Sequence, residues 1–169
     1  MNAVAGLVID TSVAVKWFFD EPHTPEALRV LAACRAGSRR PLAPDLIYPE
    51  FGNAVWKRVI QRQLDAEDGA VIIAAFGELP LEIVANAATL PTAYQLAIAH
   101  RRTVYDATFL ALSVLLDVEL VTADEPLYNV VREQLPQVRW IGEWGEGRGE
   151  RGEEFSPYRS RVPGPSGCA

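Results

Sequence analysis

The feature that most constrains the fold is a run of three aliphatic residues that stops at an acid. Leu7, Val8 and Ile9 are followed directly by Asp10. A short run of consecutive apolar residues predicts a strand that is buried on both faces, as in the middle of a parallel sheet. Because open α/β sheets bind ligands at the carboxyl ends of their strands, Asp10 is expected at that edge. A single acid there is more commonly the start of a turn, so its role depends on other acids reaching the same edge.

Strand and helix patterns alternate along the rest of the chain. Short apolar runs predict further strands at 81–84, 119–122 and 138–141, and a brief second strand would fit the short segment at 41–44. Helical periodicity predicts the segments between them to be helical, at 13–19, 24–36, 45–62, 65–76, 91–102, 103–116 and 124–133. Residues 103–116 are apolar almost all round, which predicts a buried helix. The alternation indicates the α/β class, with a mostly parallel sheet and helices on both faces.

Composition excludes several function classes. A net charge of −6 argues against a protein that holds nucleic acid by bulk positive charge, although metal ions can neutralise acids locally. Two histidines leave little material for a histidine acid–base mechanism. The spacing of Cys34 and Cys168 suggests neither a zinc site nor a disulfide framework. No apolar run approaches the length of a membrane span and no secretory signal is visible, so a cytoplasmic protein without a membrane partner is expected.

The composition changes sharply near residue 142. Seven of the twelve glycines lie between Gly142 and Gly167, among glutamates and arginines. Such a segment buries too little apolar surface to offset its ordering entropy. The expected organisation is therefore one domain over residues 1–141 and a disordered tail over 142–169, with Phe155 and Tyr158 as its only possible anchors.

Four acids fall on the carboxyl edge of the predicted sheet. Asp10 ends the first strand, Glu50 lies in the first turns of the helix after the second, Asp106 begins the apolar helix, and Asp124 follows the fourth strand. Each has a purely structural alternative. Asp106 fits a capping box with Thr103, Asp124 fits an N-cap, and Glu50 fits an exposed surface position.

Taken together, the four acids favour a cation site. Carboxylates a few ångströms apart raise one another's pKa values, so such a cluster is kept only when something cationic fills it. Carboxylate ligands alone select a hard divalent cation, Mg²⁺ or Mn²⁺. An ion held with open positions activates water and stabilises charge on a phosphate.

The same acids belong to four short motifs that occur in order along the chain. The motifs are Val8-Ile9-Asp10-Thr11-Ser12-Val13, Pro49-Glu50, Tyr105-Asp106-Ala107 and Val121-Thr122-Ala123-Asp124. In these motifs the chain resembles the PIN-domain ribonucleases, and most closely the toxins of VapBC toxin–antitoxin pairs. The resemblance extends over roughly residues 4–141.

The resemblance implies a three-layer α/β/α sandwich and RNA cleavage by a metal-activated water, with Mg²⁺ as cofactor and Mn²⁺ as a substitute. It implies an antitoxin partner, and a homodimer or an antitoxin-bound hetero-oligomer. The metal-site and catalytic acids that it implies are Asp10, Glu50, Asp106 and Asp124, with Ser12 and Thr122 as supporting hydroxyls and Asn53 orienting Glu50.

Few basic or aromatic residues lie near this edge. Lys16, Arg101 and Arg102 are candidates for contacts with RNA phosphates, although exposed cations are usually only a solvated surface. Trp17 is first expected in the core, and its alternative is a contact with RNA bases or with a partner peptide. Thr11 and Ser12 are expected to cap the helix that follows Asp10.

Three other functions were considered beside that of a toxin ribonuclease. A phosphotransfer domain with a nucleophilic aspartate normally has a second acid close to the nucleophile and a lysine after a later strand. Here Ser12 stands two residues after Asp10, and no lysine follows Lys57. A housekeeping RNA-processing nuclease of the same fold, and a non-catalytic interaction module, remain as alternatives.

Overall fold

The structure, a computed structural model, describes residues 4–145. A five-stranded parallel sheet with the strand order β3-β2-β1-β4-β5 forms its centre. The strands are β1 Gly6–Ile9, β2 Arg40–Pro44, β3 Glu82–Val84, β4 Glu119–Thr122 and β5 Val138–Trp140. The predicted α/β/α sandwich is confirmed, and all strand pairs are parallel. The tail that was predicted to be disordered lies, from residue 146 onward, outside the described residues.

Seven α-helices connect the strands within the described part. They are α1 Thr11–Ala14, α2 Thr24–Arg35, α3 Ile47–Ile60, α4 Ala66–Gly77, α5 Asn86–His100, α6 Val104–Leu116 and α7 Glu125–Val131. Short 3-10 turns follow α1 at Val15–Trp17 and β5 at Ile141–Glu143. No helix of residues 4–145 is long and apolar enough to cross a membrane.

The strand order places a topological switch point beside β1. The chain runs outward from β1 to β2 and β3, then returns to add β4 and β5 on the other side of β1. Residues Gly6–Ile9 of β1 are all buried, as the aliphatic run predicted. Parallel sheets of this class bind ligands in a crevice at the carboxyl ends of the strands, at the point where the chain reverses its direction of strand addition. Asp10 follows β1 at that crevice, and Asp124 follows β4.

Three helix predictions were wrong in their extent or burial. The helix after β1 ends at Ala14 and tightens into a 3-10 turn, whereas a helix over 13–19 was expected. Helix α5 begins at Asn86 and carries Pro91 inside it, whereas the proline was expected at its start. Helix α6 is buried from Ala107 to Ser113 but exposes Leu115 to 51%. It packs on α5, β1 and β2 along part of its length, so an apolar sequence alone overstated its burial.

The packed part of the chain continues past residue 141. Arg29 donates from Nη2 to the carbonyl oxygen of Trp144 over 3.2 Å. The guanidinium of Arg39 lies 5.6 Å from the centre of the Trp144 ring. Trp144 also packs against the hydrophobic core. Residues 142–144 are thus held by the domain, although the sequence placed them in the tail.

Candidate active site

Asp10 is the buried centre of the carboxyl edge, with 7% of its surface exposed. Its Oδ2 accepts hydrogen bonds from the hydroxyls of Ser12 and Thr122, each over 2.6 Å. Both hydroxyls are oriented by backbone donors. The N–H of Ala123 donates to Oγ of Ser12, and the N–H of Asp124 donates to Oγ1 of Thr122. The two supporting hydroxyls predicted from the resemblance therefore converge on this carboxylate.

The electrostatics of Asp10 oppose its ionisation in the metal-free protein. Burial raises its pKa above the ordinary value, and the negative charge of Asp124 raises it further. The hydrogen bonds from Ser12, Thr122 and the backbone of Thr11 act in the opposite direction, because they stabilise the carboxylate. Burial is the largest of these effects, so the net pKa is raised. A cation beside Asp10 would relieve this cost.

Glu50 projects from the first turn of α3 toward the same edge. Its Oε2 accepts a hydrogen bond from Oγ1 of Thr11 over 2.5 Å. Partial burial raises the pKa of Glu50, the bond from Thr11 lowers it, and the charges of Asp10 and Asp106 raise it. Asn53 is exposed and makes no hydrogen bond to Glu50 within the described residues, so Thr11 orients this carboxylate in place of Asn53.

Thr11 is thus a site residue that the sequence argument missed. It was assigned to helix capping with Ser12, but neither hydroxyl caps α1. Both hydroxyls instead donate to carboxylates, that of Thr11 to Glu50 and that of Ser12 to Asp10. The available signal was a pair of hydroxyl residues directly after the acid at a strand end. Their targets depend on folding, since Glu50 lies 39 residues away.

Asp106 combines a structural and an electrostatic role. Its backbone N–H donates to Oγ1 of Thr103 over 3.1 Å, which is the first half of the expected capping box. Within residues 4–145 its side chain makes no return hydrogen bond to the backbone N–H of Thr103. Oδ2 of Asp106 instead pairs with Nη2 of Arg102 at 3.2 Å. Arg102, which was a candidate for contact with RNA, therefore neutralises one of the predicted acids in this structure.

Asp124 is an N-cap and a neighbour of Asp10 at once. Its Oδ1 accepts a hydrogen bond from the N–H of Leu127 over 2.8 Å, so the structural alternative weighed for this residue is present. Its charge nevertheless acts on Asp10. One carboxylate oxygen is used by the cap. The structure therefore shows the cap and the proximity to Asp10, and the metal-site role of Asp124 stays a prediction.

The four acids interact through their charges in pairs, but their side chains are not arranged as a complete set of metal ligands. Asp10 is acted on by Asp124, and Glu50 by Asp10 and Asp106. Across residues 4–145, no three acidic, histidine or cysteine side chains are grouped tightly enough to hold a metal ion as they stand. The donor set nevertheless fits a hard divalent cation, because it consists of carboxylates and hydroxyls around a buried acid whose ionised form is disfavoured.

The remaining contact candidates occupy three different environments. Lys16 is 9% exposed, and its Nζ donates to Oε2 of Glu21 over 2.9 Å. Arg101 is exposed at the end of α5, in a left-handed backbone conformation. Trp17 is only 2% exposed, and its indole N–H donates to the carbonyl oxygen of Ala27 over 2.8 Å. The core position that was first expected for Trp17 is therefore confirmed, because its ring is buried and its indole N–H has a partner there.

Comparison with known proteins identifies the fold and its relatives. A family model described as "PIN domain" matches residues 7–133, more than half of the chain. Ribonuclease VapC3 of Pyrobaculum aerophilum is 29% identical over 123 residues, which cover 72% of this chain and 91% of that protein.

Two solved structures share the architecture. A toxin–antitoxin complex from Klebsiella pneumoniae contains a chain with a TM-score of 0.58 and 16% identity, over 80% of this chain and 97% of that one. VapC20 of Mycobacterium tuberculosis, titled a toxin that cleaves the sarcin–ricin loop, has a TM-score of 0.57 and 16% identity, over 79% of this chain and 98% of its own. At these identities the likeness concerns the fold.

Proposed function

The chain belongs to the PIN-domain family, and from this membership we propose that it is a VapC-type endoribonuclease, the toxin of a toxin–antitoxin pair. One observation carries the proposal. A buried carboxylate, Asp10, is held by two hydroxyls at the switch point of the sheet, Asp124 and Glu50 lie near enough to interact with it, and Asp106 interacts with Glu50. A fold retains so costly a cluster for binding and chemistry more readily than for stability.

The cation that suits this site is Mg²⁺, with Mn²⁺ as a substitute. The residues that would hold it are Asp10, Glu50, Asp106 and Asp124. When bound, a divalent cation supplies an activated water and neutralises charge on the phosphate. The chain's own contribution is orientation. Ser12 and Thr122 hold Asp10, Thr11 holds Glu50, and Arg102 pairs with Oδ2 of Asp106, where it would compete with a cation for that oxygen.

The proposed substrate is RNA, and the proposed site of action is the cytoplasm. The relative from Pyrobaculum aerophilum is named a ribonuclease, and VapC20 is described as a sarcin–ricin loop cleaving toxin. The charge of −6 means that bulk attraction contributes little to RNA binding. Substrate contact must therefore be concentrated at the acidic edge.

A cognate antitoxin is the second proposed partner. A ribonuclease that is free in its own cell needs a blocker, and an acidic crevice is well blocked by an arginine, whose planar fork matches a carboxylate. We expect the antitoxin to place an Arg or Lys near Asp10 and Asp106. A homodimer or an antitoxin-bound hetero-oligomer is the proposed assembly. It is supported by an apolar stripe on α5 formed by Leu90, Tyr94 and Ile98, all exposed and spaced four residues apart.

The test of the nuclease is cleavage of RNA by purified protein with Mg²⁺, with Mn²⁺ and with chelator. Asp10→Asn and Asp106→Asn are expected to abolish the cleavage that Mg²⁺ supports and to keep the fold. Asp117→Asn is the matched control. It removes the same charge at the opposite end of the sheet, and asparagine tolerates the left-handed backbone of that position. Cleavage by Asp10→Asn at the wild-type rate would refute the site.

The test of the partner is co-expression with the adjacent open reading frame, followed by pull-down and the same cleavage assay. A toxin is expected to co-purify with a small protein that suppresses cleavage. If cleavage is present but no adjacent or co-purifying protein suppresses it, a housekeeping RNA-processing nuclease is the better assignment. If no RNA is cleaved with either metal, the non-catalytic interaction module is.

A further inference from the structure

A cavity of about 500 Å³ opens beside the acidic edge, on the side of β4 and β5. Its lining includes Ser12 and Asp124 from the acidic edge, the cation Lys16, and the aromatic rings of His23 and Trp140. Ser12 donates to Asp10 and also lines this cavity, so the cavity and the proposed catalytic edge share a wall.

Trp140 and His23 form an aromatic wall of this cavity, and the sheet register places that wall beside Asp10. Trp140 pairs with Thr122 across β4 and β5, and Thr122 donates to Asp10. The edge of the His23 ring meets Trp140 at a centroid distance of 5.4 Å, and Tyr128 packs on Trp140 at 5.8 Å. A Cβ added at Gly142 would lie 2.5 Å from Nε1 of Trp140. The wall is therefore held from three directions, which leaves its ring pre-organised for stacking.

Lys16 is the one buried cation of this cavity's described lining. Only 9% of its surface is exposed. Its bond to Glu21 uses one of the three N–H donors of the ammonium group. Glu21 also pairs with Arg58, whose guanidinium lies 4.0 Å from the centre of the Phe19 ring. This network holds the ammonium group among the residues that line the cavity, and the bond to Glu21 takes only one of its three N–H donors.

The charges of the lining decide what kind of group fits. Asp124 and Glu125 line the cavity, and Glu21 offsets Lys16. A phosphate placed inside would meet two carboxylates and a lysine already neutralised. A nucleobase is neutral, presents a π-face to Trp140, and offers carbonyl and ring-nitrogen acceptors to a lysine. The cavity thus suits a base better than a phosphate.

We propose that this cavity is a base-binding subsite for the nucleotide next to the scissile phosphate of single-stranded RNA. The inference rests on the proposed nuclease function and names the position at which that nuclease reads its substrate. The base stacks on Trp140, whose ring stands at 77° to the ring of His23, and the ammonium group of Lys16 donates to the acceptor edge of the base. A base can enter only when it is unpaired, so the subsite selects single strands and loops over duplex RNA.

The first experiment detects base binding without cleavage. The four ribonucleoside 5′-monophosphates are titrated into the full-length ¹⁵N-labelled protein in chelator, and the indole N–H resonances are followed. The Trp140 resonance, assigned with Trp140→Phe, is expected to shift with at least one nucleotide. The resonance of Trp56, which is exposed on α3, should stay in place. No shift of Trp140 with any of the four would overturn the proposal.

The second experiment measures the affinity of a fluorescein-labelled single-stranded RNA in chelator by anisotropy. Trp140→Leu and Lys16→Met are expected to weaken binding on the order of tenfold, the scale of one stacked base. Their matched controls, Trp56→Leu and Lys57→Met, change the same residue types at exposed positions of α3. His23→Asn is a variant that spares the fold, because asparagine accepts the left-handed conformation of residue 23.

The outcomes separate this proposal from the nuclease function. Folded Lys16→Met and His23→Asn proteins that bind the RNA like their controls overturn the subsite, even if wild-type protein cleaves RNA. The subsite is also overturned if these variants lose a co-purifying antitoxin but keep RNA affinity, because the cavity then serves a protein partner. A wild-type protein that shows the Trp140 shift but cleaves no RNA retains the cavity as a base-binding site and loses both the nuclease assignment and the position beside a scissile phosphate.

Discussion

The hydroxyl of Thr122 donates to Oδ2 of Asp10 over 2.6 Å, between two residues that are 112 positions apart in the chain. The bond joins the ends of two adjacent parallel strands, β1 and β4, at the switch point of the sheet. The backbone N–H of Asp124 donates to the same hydroxyl, so the direction in which Thr122 donates is set by the strand that carries it.

Thr122→Val should reduce Mg²⁺-supported cleavage by a factor of about 10 to 100, as expected when the residue that orients a metal ligand is lost. Valine keeps the shape of threonine and removes only the hydroxyl. The measurement is the cleavage rate as a function of Mg²⁺ concentration. Thr108→Val is the control, because the Thr108 hydroxyl donates only to the carbonyl oxygen of Val104 in its own helix. Equal losses in the two variants would assign the effect to packing.

The free energy of unfolding of the metal-free protein should carry a penalty from Asp10 that grows with pH. Burial raises the pKa of the folded Asp10 above its ordinary value of 3.8, so the native state binds the proton more tightly than the unfolded chain does. The stability that this proton confers is complete below 3.8 and is lost as the pH rises through the folded pKa. Glu50 acts with the same sign, from its ordinary value of 4.5 upward.

The measurement is thermal unfolding of wild-type and Asp10→Asn protein in chelator between about pH 5 and about pH 8. The variant should be the more stable protein at the upper end, and its advantage should shrink toward the lower end. Saturating Mg²⁺ should reverse the order, because a cation that binds the native site stabilises wild type by mass action. An advantage that is constant with pH would mean that Asp10 does not titrate as its burial implies.

Arg102→Gln should lower the Mg²⁺ concentration needed for half-maximal thermal stabilisation. The guanidinium of Arg102 occupies Asp106 at 3.2 Å, so a metal ion must compete with it. Arg101→Gln is the control, because it removes an equal charge from the neighbouring exposed position. If both variants shift the midpoint equally, the effect is one of overall charge and Arg102 is no competitor.

Trp17→Ala should destabilise the whole domain by about 3–5 kcal/mol, the usual cost of truncating a large core side chain. The ring is 2% exposed, and the carbonyl oxygen of Ala27 would lose its indole donor. Urea unfolding measures the change. Trp56→Ala on the surface of α3 should change stability little. A folded Trp17→Ala protein with wild-type stability would return Trp17 to the list of candidate contacts.

Truncation after Trp144 should change the melting temperature and nuclease activity little, because the composition of the removed tail predicts no stable packing. Truncation after Ile141 should lower the melting temperature, since it removes the contacts of Trp144 with Arg29 and Arg39. Thermal melts of the two shortened proteins and the full chain compare these cases. A fall of many degrees on the first truncation would indicate that Phe155 or Tyr158 docks on the domain.

Local sequence determined the strands and the edge at which the acids meet. A run such as Leu7-Val8-Ile9 has few options other than a buried strand, and the parallel βα connections then place Asp10, Glu50 and Asp124 at one edge. Asp106 begins a helix that follows another helix, so its position near Glu50 depends on the tertiary fold. Thr103 and Asp124 were recognisable as cap residues for the same reason, since capping depends on neighbours three residues away. These features are encoded within a few residues of one another.

Only the tertiary structure decided what each side chain does at that edge. Trp17 is buried in the core, and Arg102 pairs with Asp106. The hydroxyl of Thr11 donates to Glu50 and does not cap its own helix. The wall of Trp140 and His23 unites residues that no local pattern connects. The physical reason is that burial and partner choice are set by side chains that meet only after the strands are ordered side by side. Sequence spacing constrains the backbone near an acid, whereas the dielectric and the hydrogen bonds that govern its charge come from the whole fold.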